Sequence, residues 1–428
     1  MIEAGSMGCG LRRPSRRLYV SHLSIEYRAL SDATARLDRD AGSRTALDGG
    51  HRRGGNSACV SRIRHGVRAA LRRDAHAMNG PPIWKALFAL GLLCGTGPAQ
   101  ADENCASPNH PGGNSTLNVR FDNDLFGGLG QDQGYSNGFL VTRVSPNLVD
   151  DVNDPCLPAT TRWMGRRLSF LNLSDFDQLN VTAGVAQLMY TPNDPAPRNL
   201  IADDRPYAGV LMLSLGYSAA KDDRQQTSLL RFGILGPAAQ AGKVQNAVHK
   251  ITGGDRFNGW RNQLRNEPVV QLIHERRRRI FAGPALVDWR WDATAHWGGS
   301  LGNFATYANT GAEVRFGRRV PDDFGTAALG PAAENTTPAV MHDNTEWDGH
   351  LFLAFDARWV LRDITLDGNT FRSGHSVDKR AFVADVGYGI AIARGHWKIV
   401  LGRYHRTREF NGQRNLPAFG SLMVSKQF

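Results

Sequence analysis

The chain has 428 residues, is 41% hydrophobic and has a mean hydropathy of −0.37, within reach of one large domain or two to three ordinary ones. Its net charge of +11 would suit a nucleic-acid partner, but the charge is unevenly placed. Residues 1–101 carry 16 Lys and Arg against 7 Asp and Glu, which leaves 35 against 33 for the remainder, so no nucleic-acid partner is expected of the mature protein.

Residues 1–77 are Arg-rich and show no sustained apolar periodicity. They read as an over-extended start, with a regulatory tail as the alternative. From Met78 the text changes to "MNGPPIWKALFALGLLCGTGPAQA": one basic residue, Lys85, an apolar run from Ala86 to Cys94, then Ala99-Gln100-Ala101. This is the layout of a secretory signal peptide over 78–101. The apolar run is too short to span a bilayer as a helix. A lipidated Cys94 is the alternative, and the bulk of Leu93 opposes it. Cleavage after Ala101 leaves Cys105 and Cys156, which in an exported chain suggest one disulfide, with two free thiols as the alternative.

The mature chain, 102–428, alternates. In "VDWRWDATAHW" Val287, Trp289, Trp291 and Trp297 interleave with Asp288, Arg290, Asp292 and His296. "LFLAFDARWVL" and "FVADVGYGIAI" do the same, with Asp356, Arg358 and Asp385 on the polar side. Period two is the pattern of a strand with unlike faces. Segments of about ten residues suit tilted strands crossing a bilayer. Twelve are expected, beginning near 115, 136, 178, 208, 227, 267, 285, 303, 348, 380, 395 and 417, and the chain ends on Phe428. An all-β, twelve-stranded antiparallel transmembrane barrel is favoured over a soluble sandwich, because only a closed sheet leaves no unpaired edge in lipid. With both termini periplasmic, the extracellular connections are 123–135, 191–207, 237–266, 298–302, 362–379 and 409–416. The stretch 317–347 then falls on the periplasmic side, is long for such a turn, and suggests extra structure or a miscounted strand.

The polar motifs collect in the first three extracellular connections. "DNDLFGGLGQDQGYSNGF" holds Asp122, Asn123, Asp124 and Ser136; "ADDRPYAG" holds Arg205; "VQNAVHKIT" forms a short helix with Gln245 and His249 at i and i+4 on one face. Asp-Asn-Asp beside glycines is either a turn or a pair of hard oxygen ligands for a cation such as calcium. Arg205 belongs to a Pro-fixed turn or meets a phosphate. "HERRRR", His274 to Arg279, reads as a charged barrel end.

In order, "DNDLF", "GYSNG", "DRPYAG", "QNAVH", "GWRNQLRNEP" and the terminal Phe resemble the outer-membrane lipid A 3′-O-deacylase family over nearly all of 115–428. The resemblance implies a calcium-dependent esterase that removes the 3′-acyloxyacyl group of lipid A, the anchor of lipopolysaccharide, with its active site on the extracellular rim of the outer membrane. It implies His249 as the catalytic histidine, Gln245 as the helix glutamine, Ser136 in place of the family's usual Thr, Asn123 and Asp124 on the Ca2+ side, and Arg205 as a substrate-binding residue. A monomer is expected. Two other readings stay open: a serine-dependent phospholipase using Ser136, and a non-enzymatic channel or adhesion barrel.

Overall fold

The structure is a computed structural model that describes residues 115–123, 134–149, 176–252, 256–326, 336 and 346–428. The leader, the signal peptide, Cys105, Cys156 and Asp124 lie outside the described residues. Twelve antiparallel strands form one closed barrel: β1 (Thr116–Asn123), β2 (Gly134–Val144), β3 (Gln178–Thr191), β4 (Ala208–Lys221), β5 (Arg224–Leu235), β6 (Glu267–Leu286), β7 (Trp289–Gly302), β8 (Ala305–Arg318), β9 (Asp348–Asp363), β10 (Phe382–Arg394), β11 (Trp397–Arg406) and β12 (Ala418–Gln427). β1 closes on β12 from Thr116 opposite Gln427 to Asn123 opposite Gly420. Among the described residues two α-helices occur outside the wall: α1 (Ala241–Thr252) between β5 and β6, and the single turn α2 (Ile364–Asp367) after β9.

The alternation is turned inside out relative to a water-soluble protein. On β9 and β10 the apolar set is exposed, with Leu351 at 57%, Leu353 at 56% and Phe382 at 72%, while Asp356 and Asp385 are buried at 3% and 0%. Such a surface is stable only where the outer solvent is hydrocarbon, which rules out the soluble sandwich.

Three expectations need correcting. Strands run from 8 to 20 residues, β6 being the longest, rather than about ten. Residues 298–302 belong to β7, and only Asn303 and Phe304 connect it to β8. The stretch 317–347 hides no further strand among its described residues. Gly317 and Arg318 end β8, and the chain from Arg319 to Thr326 then turns back into the lumen. There Arg315 of β8 pairs with both Asp292 and Asp323. Arg277 and Arg279 donate to the carbonyls of Phe324 and Asp323 at 3.2 and 2.9 Å. Buried charges persist only when paired in this way.

At the opposite end the lumen is packed by an apolar cluster that includes Tyr135, Leu188, Tyr190, Met212, Leu264, Phe304, Tyr404 and Phe419. Between the two lies a cavity of about 170 Å³ bordered by Glu275, His296, Asp356 and Arg231.

Burial alone would raise the Asp323 carboxyl, but Arg315 and Lys398 outweigh it and hold its pKa at about 2. A depressed carboxylate adds stability above its unfolded pKa and loses it as pH falls toward the folded value. Asp323→Asn is therefore expected to remove on the order of 2 kcal/mol at neutral pH and to flatten stability between about pH 4 and 2. Urea unfolding of the barrel in lipid vesicles across that range checks this.

Candidate active site

Parity decides which residues meet. On β1 the residues at even positions, Asn118, Arg120 and Asp122, are buried in the lumen, while Leu117, Val119 and Phe121 face out. Asp122 accepts from Arg120 Nε at 2.7 Å and from Tyr135 Oη at 3.0 Å, so it is an interior ion-pair partner. Asn123 has the outward parity, and its Nδ2 donates to Asn137 Oδ1 of the neighbouring strand at 2.6 Å.

β2 carries a bulge. Tyr135 pairs with Tyr190 and Asn137 with Met189, which leaves Ser136 as the extra residue. A bulge re-aims side chains at a sheet rim. Here it sends Tyr135 inward to Asp122 and leaves Ser136 and Asn137 on the outer side. The second glycine of "GYSNG" is demanded by this: a Cβ on Gly138 would stand 1.6 Å from Tyr135 Oη.

α1 lies against the outer face of β3 and β4. Gly209 on β4 has outward parity, and a Cβ there would stand 2.3 Å from the Cβ of Ala241, so its absence lets the helix approach the wall. Gln187 Nε2 of β3 donates to the carbonyl of Ala239 just before the helix at 2.7 Å. Beneath and beside α1, Met189, Tyr207, Ala241, Phe257 and Trp260 form a separate apolar cluster.

The buried stripe of α1 is Ala241, Gln245 and His249. Two of the three are polar, which costs stability unless they are bonded and marks a site rather than a core. Gln245 Oε1 accepts from Trp260 Nε1 at 2.7 Å and its Nε2 donates to Ser136 Oγ at 3.2 Å. An indole is a donor only, so this contact sets the orientation of the amide. Ser136 Oγ in turn donates to the carbonyl of Met189 at 3.2 Å. One turn on, the His249 ring, 4% exposed, meets Phe257 edge-on at 5.9 Å. Phe257 packs on Tyr207 at 6.2 Å, and Tyr207 on Trp260 at 5.2 Å.

The structure thus brings together Ser136, Gln245 and His249, with Asn123 and Asn137 on the adjoining strand pair. It does not bring Arg205 to them. That guanidinium is buried at the mouth of the lumen, where Nη1 donates to Glu409 at 2.9 Å, Nη2 to Thr365 Oγ1 at 2.9 Å, and its plane lies 4.9 Å from the Tyr190 centroid. The expected phosphate contact of Arg205 is replaced by an internal ion pair. Burial would raise the Glu409 carboxyl, yet Arg205 and Arg406 hold it below the usual range. Sequence reasoning missed Trp260, Asn137, Tyr207 and Phe257 as parts of the site, although the first three sit in the motifs "GWRNQLRNEP", "GYSNG" and "DRPYAG".

For a cation, the donor chemistry is oxygen. Among the described residues no group of three or more His, Cys, Asp or Glu side chains is placed to hold a metal. Asn123 Nδ2 donates to Asn137 Oδ1, and Asp124, the other residue expected on the calcium side, lies outside the described residues. Hard oxygen donors of this kind fit calcium rather than a softer ion.

The family model described as "Outer membrane protein LpxR" matches residues 87–428. The chain belongs to the LpxR family. This is the family the sequence motifs resemble, the lipid A deacylases of the outer membrane. Among solved structures, LpxR from Salmonella typhimurium matches at a TM-score of 0.58 and 17% identity, covering 73% of this chain and all of that one, and so shares the fold. The β-domain of the Bordetella autotransporter BrkA matches at 0.33 and 13% identity over 74% of this chain and all of that one. The translocator domain of NalP from Neisseria meningitidis matches at 0.32 and 11%, covering 77% and 93%. No curated protein matches.

In this LpxR-family barrel, Arg205→Ala is expected to lower stability by about 2–3 kcal/mol, because one charge-assisted bond to a buried carboxylate is lost while Arg406 remains. The unfolding midpoint in lipid vesicles reads the loss. A phosphate-binding role would instead raise KM with stability intact.

Proposed function

We propose that this protein hydrolyses the 3′-O-linked acyloxyacyl ester of lipid A in the outer leaflet, with His249 as general base and with calcium as a required ion. One observation carries the reading. The buried polar stripe of α1 lies on the outer, lipid-facing side of the barrel wall, at the rim with the long connections. A substrate dissolved in the leaflet reaches that side; one arriving through the lumen does not. The long-loop rim is then extracellular.

Neutral His249 takes the proton of a water as that water attacks the ester carbonyl. The carbonyl oxygen gains negative charge in that step, and donors already oriented toward it stabilise the charge without reorganising. Gln245 accepts from Trp260 through Oε1 and donates to Ser136 through Nε2, which sets the orientation of its amide. Its role is to fasten α1 to the β2 bulge, which fixes where His249 stands. Asp124 and Asn123 would hold a calcium ion, which would supply positive charge near the developing oxyanion. Phe257 packs edge-on against the His249 ring, with Tyr207 against Phe257 and Trp260 against Tyr207.

The serine-nucleophile alternative is disfavoured because the Ser136 hydroxyl donates to a backbone carbonyl and accepts from Gln245, so its proton is not directed at a base.

His249→Ala is expected to reduce acyl release by roughly 10²–10⁴-fold, the usual worth of a general base. Mass spectrometry of lipid A from cells expressing each form reads the loss, and full activity in the variant would refute the mechanism. Trp260→Phe, which frees the Gln245 amide, is expected to cost about tenfold in kcat with barrel stability retained, as expected for a displaced catalytic group. A fluorophosphonate probe is expected to leave Ser136 unlabelled.

A further inference from the structure

Ester hydrolysis builds negative charge on the carbonyl oxygen as water adds. A fixed N–H donor aimed at that oxygen is worth more in an enclosed site than in water. The reacting carbonyl must lie between the histidine that activates the water and the residues expected to hold calcium. On the outer face of the barrel a single strand separates these two. Asn123, expected on the calcium side, ends β1, while Gln245 and His249 ride on α1, which packs on β3 and β4. Between β1 and β3 runs β2. At the level of Asn123 the outer-face residue of β2 is Asn137, opposite Asn123 on one side and Met189 on the other. Met189 belongs to the apolar cluster beside α1, and Ser136, the residue before Asn137, is bonded to Gln245.

Asn137 is 0% exposed. Its Oδ1 accepts from Asn123 Nδ2 at 2.6 Å, which orients the amide. Its Nδ2 meets no acceptor among the described residues. A buried donor left unmatched costs stability, and such groups in a native protein call for a reason. Unmatched polar atoms occur in the lumen as well, Gln271 Oε1 and Thr294 Oγ1 among them, but these border the polar cavity. Asn137 is on the other side of the wall, so that cavity does not account for it. The next outer-face residues of β2, Phe139 and Val141, are apolar, as a lipid-facing wall requires.

We propose that Asn137 is a catalytic residue of the ester hydrolysis, its Nδ2 donating to the oxygen of the scissile carbonyl as the tetrahedral intermediate forms. The inference rests on the hydrolytic reading above. When the water oxygen bonds to the carbonyl carbon, the C=O electron pair moves to the carbonyl oxygen and a water proton passes to His249. When the intermediate collapses, the C=O bond is restored, the bond to the sugar oxygen breaks, and His249 gives its proton to the sugar oxygen. Asn137 neither gains nor loses a proton. A side-chain amide suits the role because it donates without ionising.

The test uses the full chain in detergent micelles, with a 3′-acyloxyacylated lipid A as substrate and two unreactive analogues of it. One carries a phosphonate at the scissile position, tetrahedral and anionic. The other carries an ether there and has no carbonyl oxygen. Asn137→Ala removes the donor; Asn137→Asp removes it while keeping the size of the side chain and an acceptor for Asn123. Both are expected to lower kcat by roughly 10²–10³-fold, with KM changed by less than about threefold. Both are expected to lose phosphonate affinity by a similar factor and to keep ether affinity, since the donor acts on the charged oxygen alone. Heat-modifiable gel migration identifies the folded barrels. A residue that only held the rim in shape would weaken both analogues alike. That result, or wild-type kcat in either folded variant, overturns the inference and leaves hydrolysis itself standing. No acyl release by the wild-type protein overturns the hydrolytic reading and this inference with it.

Discussion

Hydrocarbon tolerates no uncovered polar group, and that constraint shapes the whole molecule. A barrel wall must be apolar outside and self-paired along every edge. A reaction on a leaflet lipid, however, needs polar groups on the outside. The structure reconciles the two by laying α1 over β3 and β4, with Gly209 against Ala241 as the point of closest approach. Under that cover Gln245 and His249 are buried, and Ser136 and Trp260 complete the hydrogen bonds of the glutamine. On the proposed mechanism the helix serves both as a cover against lipid and as the carrier of Gln245 and His249.

The interior holds the rim in shape. At the long-loop end Arg205 ties the β3–β4 connection to Glu409 of the β11–β12 connection, and Glu409 also pairs with Arg406 at the end of β11, through charged contacts that are almost fully buried. At the other end Arg315 gathers Asp292 and Asp323. Such pairs gain little over apolar packing, but removing one partner leaves a charge with no water near it. They accordingly specify where the loops sit more than they add to net stability. Since α1 belongs to another long connection at the long-loop end, the lumen network at that end bears on the site through the wall without entering the chemistry.

Much of this was legible in the chain, for physical reasons that differ from element to element. Strict alternation in β9 and β10 announced strands, and starts at 178, 208, 267 and 348 coincide with β3, β4, β6 and β9. Gly298 and Gly299 read as a turn, but they lie within β7, where a Cβ on Gly298 would stand 2.3 Å from the His274 carbonyl oxygen; a glycine can mark close backbone approach as well as a bend. The insertion of Arg319–Thr326 had no local signature, because it is held by partners such as Arg277 and Glu313 that are distant in sequence. The pairing of Gln245 with His249 followed from helical spacing alone. Trp260 did not, since its value depends on a loop folding back onto the helix. For Arg205 the residue type pointed to an anion, but parity starts only at Ala208, so nothing local told which side of the wall it would take. Asp124, the expected metal ligand beside Asn123, lies outside the described residues.

The central claim is that hydrolysis takes place between the outer face of the wall and α1. The most direct measurement is the mass spectrum of lipid A from cells expressing a Gly209→Val variant, whose added side chain forces the helix off the wall without touching any proposed reacting group. The account predicts a folded barrel in the outer membrane with the 3′-linked acyl groups retained on lipid A, where the wild type removes them. Complete removal by a folded Gly209→Val barrel would contradict it.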